Sequence, residues 1–307
     1  MSAYRVIEKK NLWYLLSLLV IGSGVLLMAF RGIQSQPVLN YGIDFVGGNS
    51  MLLKFDRIDD QVTGDLSGDE NIDFIEGVRE VLIGYGLENS SIQINQDRDV
   101  MIKTLVDTNI ENTQIIDALR ETFGQIEVLE IDFIGPTIGK ELKDKALLIL
   151  AVACVALLLF ITWRFEFAYG LAALIALFHD ALVTVSLSAM IGIEINTAFV
   201  AAVLTILGYS INDTIVIFDR IRENYPKLQK QHSLIQIANF SLTQTIHRTI
   251  NTSVTTMAVI LSLIFFGGTT IKAFCLVLLI GIVSGTYSSF FIASPVLVQL
   301  NPYQKDD

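Results

Sequence analysis

The sequence predicts an α-helical membrane protein with six transmembrane helices, the first separated from the other five by an α+β domain of ferredoxin-like βαββαβ order. Three observations predict it. Of the 307 residues, 52% are hydrophobic and 17% charged, against about 25% charged in soluble domains. The apolar residues gather into six long runs, each near or above the ~18–20 residues that cross a ~30 Å hydrocarbon layer as a helix. Residues 31–145 hold 22 acids against 10 Lys and Arg, a net of −12 in a chain that totals −10. The acidity therefore belongs to one polar segment, and nothing in it resembles a nucleic-acid surface.

The first run, Leu12–Phe30, follows Arg5, Lys9 and Lys10. It is longer than the h-region of a signal peptide and no small-x-small cleavage site follows it, so it reads as an uncleaved anchor. Next comes the polar segment at 31–145. Asn49–Phe55 alternates as a strand does, and Glu70–Tyr85 repeats Ile72, Ile75, Val78 and Leu82 at helical spacing. Ser91–Asn95 and Val100–Val106 read as short strands, Thr113–Phe123 as a helix with Ile115, Ile116 and Leu119 on one face, and Ile126–Ile134 as a closing strand. The order is that of a split βαβ fold. Within it, Asp59–Glu70 is acidic and glycine-containing; its spacing does not match a calcium loop, and it reads as solvated.

Five more runs follow: Ala146–Trp163, Phe167–Ile191, Thr197–Phe218, Thr249–Phe266 and Ala273–Val298. The chain thus divides into 1–30, 31–145, a five-helix bundle at 146–298 with a loop at 220–247, and a tail at 299–307. In that loop, Ile235, Ile237, Ala238 and Leu242 have the spacing of an amphipathic helix lying along the membrane surface. Gly281-x-x-x-Gly285, with Ser284 and Ser288 nearby, reads as a close helix-packing face. Cys154 and Cys275 fall in apolar runs and read as packing residues, with no disulfide framework or metal site. Arg5, Lys9, Lys10, Arg164, Arg220, Arg222, Lys227, Lys230, Arg248 and Lys305 would lie on one side, and the opposite short loops carry only Lys272. The positive-inside rule makes both termini cytoplasmic and 31–145 extracytoplasmic.

The residues that bear on function are those a bilayer should reject, because a charge near a helix centre costs about 2.5–3.5 kcal/mol. Asp213, in the fourth run, lies about 9 Å inside the cytoplasmic edge at 1.5 Å per residue. With Tyr209, Asn212 and Val216 it forms a polar seam at helical spacing. Interhelical hydrogen bonding would explain such a seam but does not require a carboxylate, so Asp213 reads either as part of that bonding or as a proton relay. Arg248 opens the fifth helix, with Thr252 and Thr255 further in. Alone it reads equally as a cation snorkelling from the membrane edge. Near Asp213 it would hold the carboxylate ionised, since a guanidinium keeps its proton, and release it when the helices shift. Asp180, preceded by His179, is near the middle of the third run, and reads either as a second relay or as a structural partner. His179 could titrate near neutrality, though a lone helical His is more often a satisfied packing residue.

These residues fall in stretches that resemble a known family. Tyr41-Gly42-Ile43-Asp44-Phe45-Val46-Gly47-Gly48 resembles the GIDFxGG signature shared by SecD and SecF. The run from Gly208 to Asn224 (GYSINDTIVIFDRIREN) resembles the fourth-helix motif of SecF, Phe178-His179-Asp180 its third-helix motif and Arg248-Thr249-Ile250-Asn251-Thr252-Ser253 its fifth. His247 departs from that pattern, where a small residue such as Ser is expected. The resemblance spans essentially the whole chain. It implies a bacterial inner-membrane subunit of the resistance-nodulation-division (RND) superfamily that pairs with SecD and docks on the SecYEG channel and its SecA motor, with YajC as a further associate. It implies an unfolded preprotein as cargo, a proton gradient in place of a cofactor, and Asp213 and Arg248 as the proton-conducting pair, supported by Asp180, Asn212 and Thr252. A half-size RND exporter of lipids or small molecules would use the same relay, but predicts a larger external domain. An intramembrane aspartyl protease, with Asp180 and Asp213 sharing a proton, lacks the Tyr-Asp and Gly-x-Gly-Asp settings such a dyad needs.

Overall fold

In a computed structural model the described residues are 4–34, 36–56, 68–88, 90–94, 99–104 and 112–300. They fall into two compact units, one formed by 41–146 and the other by 1–40 with 147–307.

In the first unit a short helix α2 (Ile43–Val46) leads into β1 (Gly48–Phe55), followed by α3 (Gly68–Ile83), β2 (Ser91–Ile94), β3 (Val100–Thr104), α4 (Asn112–Phe123) and β4 (Ile126–Ile134). The sheet has the order β2-β3-β1-β4 with every neighbouring pair antiparallel, the split βαβ topology that the sequence periodicities predict. Alternation explains which face is buried. Met51, Leu53 and Phe55 of β1 point to the helices, where Val78 and Leu82 of α3 and Ile115, Ile116 and Leu119 of α4 complete the core. Phe55 packs edge-on against Phe74 and Phe123. The acidic stretch from Asp59 lies largely outside the described residues.

The GG of the signature has a backbone reason. Gly47 has φ of +81° and Gly48 φ of +151°, and a Cβ on Gly48 would collide with the carbonyl oxygen of Thr104. A Cβ on Gly47 would lie 2.9 Å from the Cα of Pro136. The signature thus closes β1 onto β3 and onto Pro136, the first residue of the helix that follows β4. Its Ile43 and Phe45 are buried on the same short helix as Asp44.

The second unit holds α1 (Lys10–Ile33, preceded by a 3-10 turn at Ile7–Lys9), most of α5 (Pro136–Arg164), α6 (Phe167–Ile191), α7 (Thr197–Leu228), α8 (Leu234–Phe266) and α9 (Thr269–Ser288). From α9 the chain continues through a π-helical turn (Ser289–Ala293) into α10 (Ser294–Leu300). Among the described residues six helices, with α9 and α10 counted as one span, are long and apolar enough to cross a membrane. The helices α6, α7 and the last span are the most buried, and α1 and α5 the least. Asn196 caps α7 by accepting from the Phe199 amide, and Gly192, in the left-handed conformation, ends α6. The close approach predicted for Gly281 and Gly285 is made against α7: Gly281 abuts Ile206, and a Cβ on Gly285 would lie 2.8 Å from that of Ser210.

One expectation is corrected. The segment 220–247 is not a loop with a surface-lying helix. Instead α7 runs to Leu228 and α8 begins at Leu234, so the stretch around Ile235–Leu242 is the first part of a 33-residue helix. A capping box starts it: Ser233 accepts from the Gln236 amide while the Gln236 side chain accepts from the Ser233 amide. The apolar face with Ile237, Ala238 and Leu242 is buried in protein rather than laid on lipid. Asn224 ties the two helix ends together by donating to Ser241 and Gln244.

Candidate functional site: two buried carboxylates and an exposed polar face

Asp180 is fully buried, at 0% exposure, on α6. Its Oδ2 accepts from Ser210 of α7 at 2.6 Å and from Ser288 of α9 at 2.7 Å. Its Oδ1 accepts from Ser284 of α9 at 2.7 Å and lies 3.1 Å from His179 Nδ1. Four polar groups thus converge on one carboxylate from three helices. An ionised carboxylate can only accept, and this cluster supplies what it needs. The opposite ring nitrogen of His179 lies 2.9 Å from Ser17 of α1. Ser17 in turn faces the Tyr287 hydroxyl, which donates to the Trp13 carbonyl. The His179–Asp180 pair is therefore the point at which α1, α6, α7 and α9 are fastened.

Asp213, on α7 and 3% exposed, is held differently. Its Oδ2 has one long hydrogen bond, 3.5 Å from Ser253 of α8, and Ser253 is engaged at 2.7 Å with Thr286 of α9. The next residue, Thr214, meets Ser289 at 2.8 Å, and Ser289 donates to the Ser210 carbonyl. A seam of hydroxyls along α7 and α9 thus runs between the two acids. No hydrogen bond joins the carboxyls to each other among the described residues, so the geometry of a shared-proton dyad is not formed.

The direct pairing expected between Asp213 and Arg248 is also not made. The guanidinium forms no ion pair within 4.0 Å among the described residues. The reason is helical geometry. At 3.6 residues per turn, Arg248 and Ser253 project from well-separated sides of α8, and Ser253 is the buried one. Arg248, Asn251 and Thr255 lie exposed on α8, with half-buried Thr252 donating to the Arg248 carbonyl. Asn212 is likewise exposed on α7, beside Thr205 and Gly208, while its neighbour Asp213 is buried. The seam read from Tyr209, Asn212, Asp213 and Val216 therefore straddles a boundary between the interior and an open polar face. His247 is exposed at the start of that face.

The spacing of Ser284 and Ser288 indicates only small packing residues, and Ser17, Ser210, Thr286 and Ser289 carry no local pattern that marks them individually. A signal was present: hydroxyls at 284, 286, 288 and 289 are dense for an otherwise apolar span.

The model for "Protein export membrane protein SecD/SecF, C-terminal" matches residues 114–302. That for the SecD/SecF GG motif matches 35–57. The chain belongs to the SecD/SecF protein-export family. It is 38% identical over 296 residues to the protein translocase subunit SecF of Desulfurispirillum indicum, covering 93% of this chain and 88% of that one. It is also 38% identical to that of Thermobaculum terrenum, over 95% of this chain and 92% of the other. The crystal structure of SecDF, a translocon-associated membrane protein from Thermus thermophilus, superposes with a TM-score of 0.80 at 30% identity. The match covers 97% of this chain and 38% of that chain. In SecD/SecF terms, the GG motif is the β1 entry built on Gly47 and Gly48, and the C-terminal region holds both carboxylates.

Proposed function

We propose that this chain is the SecF-type subunit of an accessory complex that uses the proton-motive force to drive or complete preprotein export through the SecYEG channel. SecD is its membrane partner, with SecA and YajC as further associates. The chain would sit in the bacterial inner membrane with both termini cytoplasmic and the βαββαβ domain outside. Asp213 carries the proton and Arg248 is the fixed cation that its charge answers to.

The observation that carries this reading is the open polar face of α7 and α8. Asn212, Arg248, Asn251 and Thr255 are exposed on helices apolar enough to cross a membrane. A cation and amides facing lipid are expensive, and such residues normally face protein or water. A second bundle of helices covering this face supplies both, and SecD is the partner whose family likeness fits. Asp213 lies just behind the face, with one long hydrogen bond to offset the burial of its charge. Asp180, by contrast, is saturated and serves as an anchor for the helices that move around it.

Protonation of Asp213 would remove its attraction to Arg248 and loosen the packing of α7 against α8, and the domain 41–146 would respond. A proton crossing 100 mV releases about 2.3 kcal/mol, enough to bias a modest rearrangement, so strong pulling would need several protons. The test is proton-dependent preprotein export into membrane vesicles containing SecD. Asp213→Asn should abolish the proton-dependent part and leave the SecA-driven part. Unchanged export would remove Asp213 from the role, and failure to co-purify with SecD would remove the partner.

A further inference from the structure

A second site lies at the N-terminal end of α1, and neither carboxylate lines it. There a cavity of about 280 Å³ opens between the N-terminal segment, α1, α8 and the π-helical turn. Its floor is apolar, made by Trp13, Leu242, Ile246 and Phe291 among others, and Arg5 and Lys9 stand at its rim. The rim is built, not incidental. Asn239 of α8 accepts from the amides of both Val6 and Ile7, and its own amide donates to Glu8 at 2.8 Å. The Tyr4 amide donates to Thr243. Hydrogen bonds at Tyr4, Val6, Ile7 and Glu8 thus hold the segment against α8, with Arg5 and Lys9 on the cavity side. The acid between them, Glu8, is engaged by Asn239. The Trp13 indole N–H is satisfied by the Val6 carbonyl, so its ring, 4.3 Å from that of Phe291, offers only apolar surface.

We infer that this cavity binds an anionic phospholipid, with its phosphate between Arg5 and Lys9 and an acyl chain over Trp13, Ile246 and Phe291. Charge and position together select this occupant. The two rim cations lie where the polar N-terminal segment gives way to the apolar α1, which is headgroup level, and Trp13 is placed as interfacial tryptophans are. The outer face of α1 beyond the cavity is exposed Leu12 and Leu16, so a chain seated there is continuous with the surrounding lipid. A peptide would leave the apolar floor partly filled by polar backbone, and free phosphate would leave it empty. Pinning of the segment means that little ordering is required on binding, which favours a specific lipid over a passing one.

Trp13 itself reports occupancy. The chain has two tryptophans, and the other, Trp163, is 84% exposed, so Trp163→Phe leaves a single probe. The full chain carrying that change is placed in phosphatidylcholine nanodiscs doped with bromine-labelled phosphatidylglycerol or with bromine-labelled phosphatidylcholine. Trp13 should be quenched preferentially by the glycerol lipid. Each basic residue near an anionic headgroup contributes about five-fold in affinity, so Arg5→Gln and Lys9→Gln should each reduce the preference about five-fold. Lys9→Arg should retain the preference and Lys10→Gln leave it unchanged, which separates charge loss from misfolding. Equal quenching by both lipids would overturn the proposal in favour of ordinary surrounding lipid. Displacement of the labelled lipid by inorganic phosphate alone would overturn it in favour of a simple anion site.

Discussion

Removing the Asp180 carboxylate should destabilise the helical unit far more than removing that of Asp213. Asp180→Ala strips the acceptor from Ser210, Ser284, Ser288 and His179 at once. Ser288 has a fallback, since its hydroxyl also reaches the Gly285 carbonyl at 3.2 Å. The other three are left buried with at least one unmet donor or acceptor, at about 1–3 kcal/mol each. Rotation of the hydroxyls will recover part of this, so the net loss is set at about 3–5 kcal/mol, the range for breaking a buried charged cluster from one side. Asp213→Asn loses one 3.5 Å hydrogen bond and should cost less than about 1 kcal/mol. Cys275 is 2% exposed, so a Cys154→Ser background leaves one buried thiol whose labelling by a thiol-reactive dye tracks unfolding on heating. At about 2–4 °C per kcal/mol for a unit of this size, Asp180→Ala should lower the midpoint by about 6–20 °C and Asp213→Asn by a few degrees at most. If the two variants melt together, or if Asp213→Asn melts first, the division between anchored and switchable carboxylate is wrong.

Other expectations follow from the same geometry. Gly48→Ala should cost about 2–3 kcal/mol or more, because a Cβ there meets the Thr104 carbonyl at a φ of +151°; limited proteolysis of the full chain should show faster cleavage within 41–146. Asn239→Ala removes hydrogen bonds to Val6, Ile7 and Glu8 and should free the N-terminal segment, read as increased labelling of a cysteine placed at Tyr4. Asn239→Asp, which keeps the acceptor for both amides but loses the donor to Glu8, should be intermediate. Ser233→Ala breaks the capping box of α8 and should cost about 1 kcal/mol, visible as faster amide exchange at 234–237.

How much of this was legible in the sequence depended on the range of the contacts. Strand β4, at Ile126–Ile134, was readable residue for residue, and the helices α3 and α4 to within one or two, because Val78 and Leu82 or Ile115 and Leu119 repeat within one element. The break between α7 and α8 was misplaced because the amphipathic pattern at Ile237, Ala238 and Leu242 looks the same whether its apolar face meets lipid or protein; only Asn224, reaching Ser241 and Gln244, decides between them. Asp180 and Asp213 announced themselves as acids in apolar runs, but not the difference between them. That difference rests on Ser210, Ser284 and Ser288, 30 to 108 residues from Asp180, and nothing local connects them. The distance of Arg248 from direct contact with Asp213 likewise follows from helix rotation, which a motif does not encode.

The hydroxyl cage around Asp180 also constrains how the protein is made. Its carboxylate emerges from the ribosome with α6, but Ser284 lies 104 residues later. At about 5–20 residues per second, α6 must wait roughly 5–20 s before its last ligands exist. Until then the acid sits in the middle of a nascent span with Ser17 of α1 to steady His179 and, once α7 has followed, Ser210 as its one hydroxyl ligand from another helix. Lateral release of α6 into lipid is therefore disfavoured until the final helix arrives, and the insertion site has to shelter several helices together.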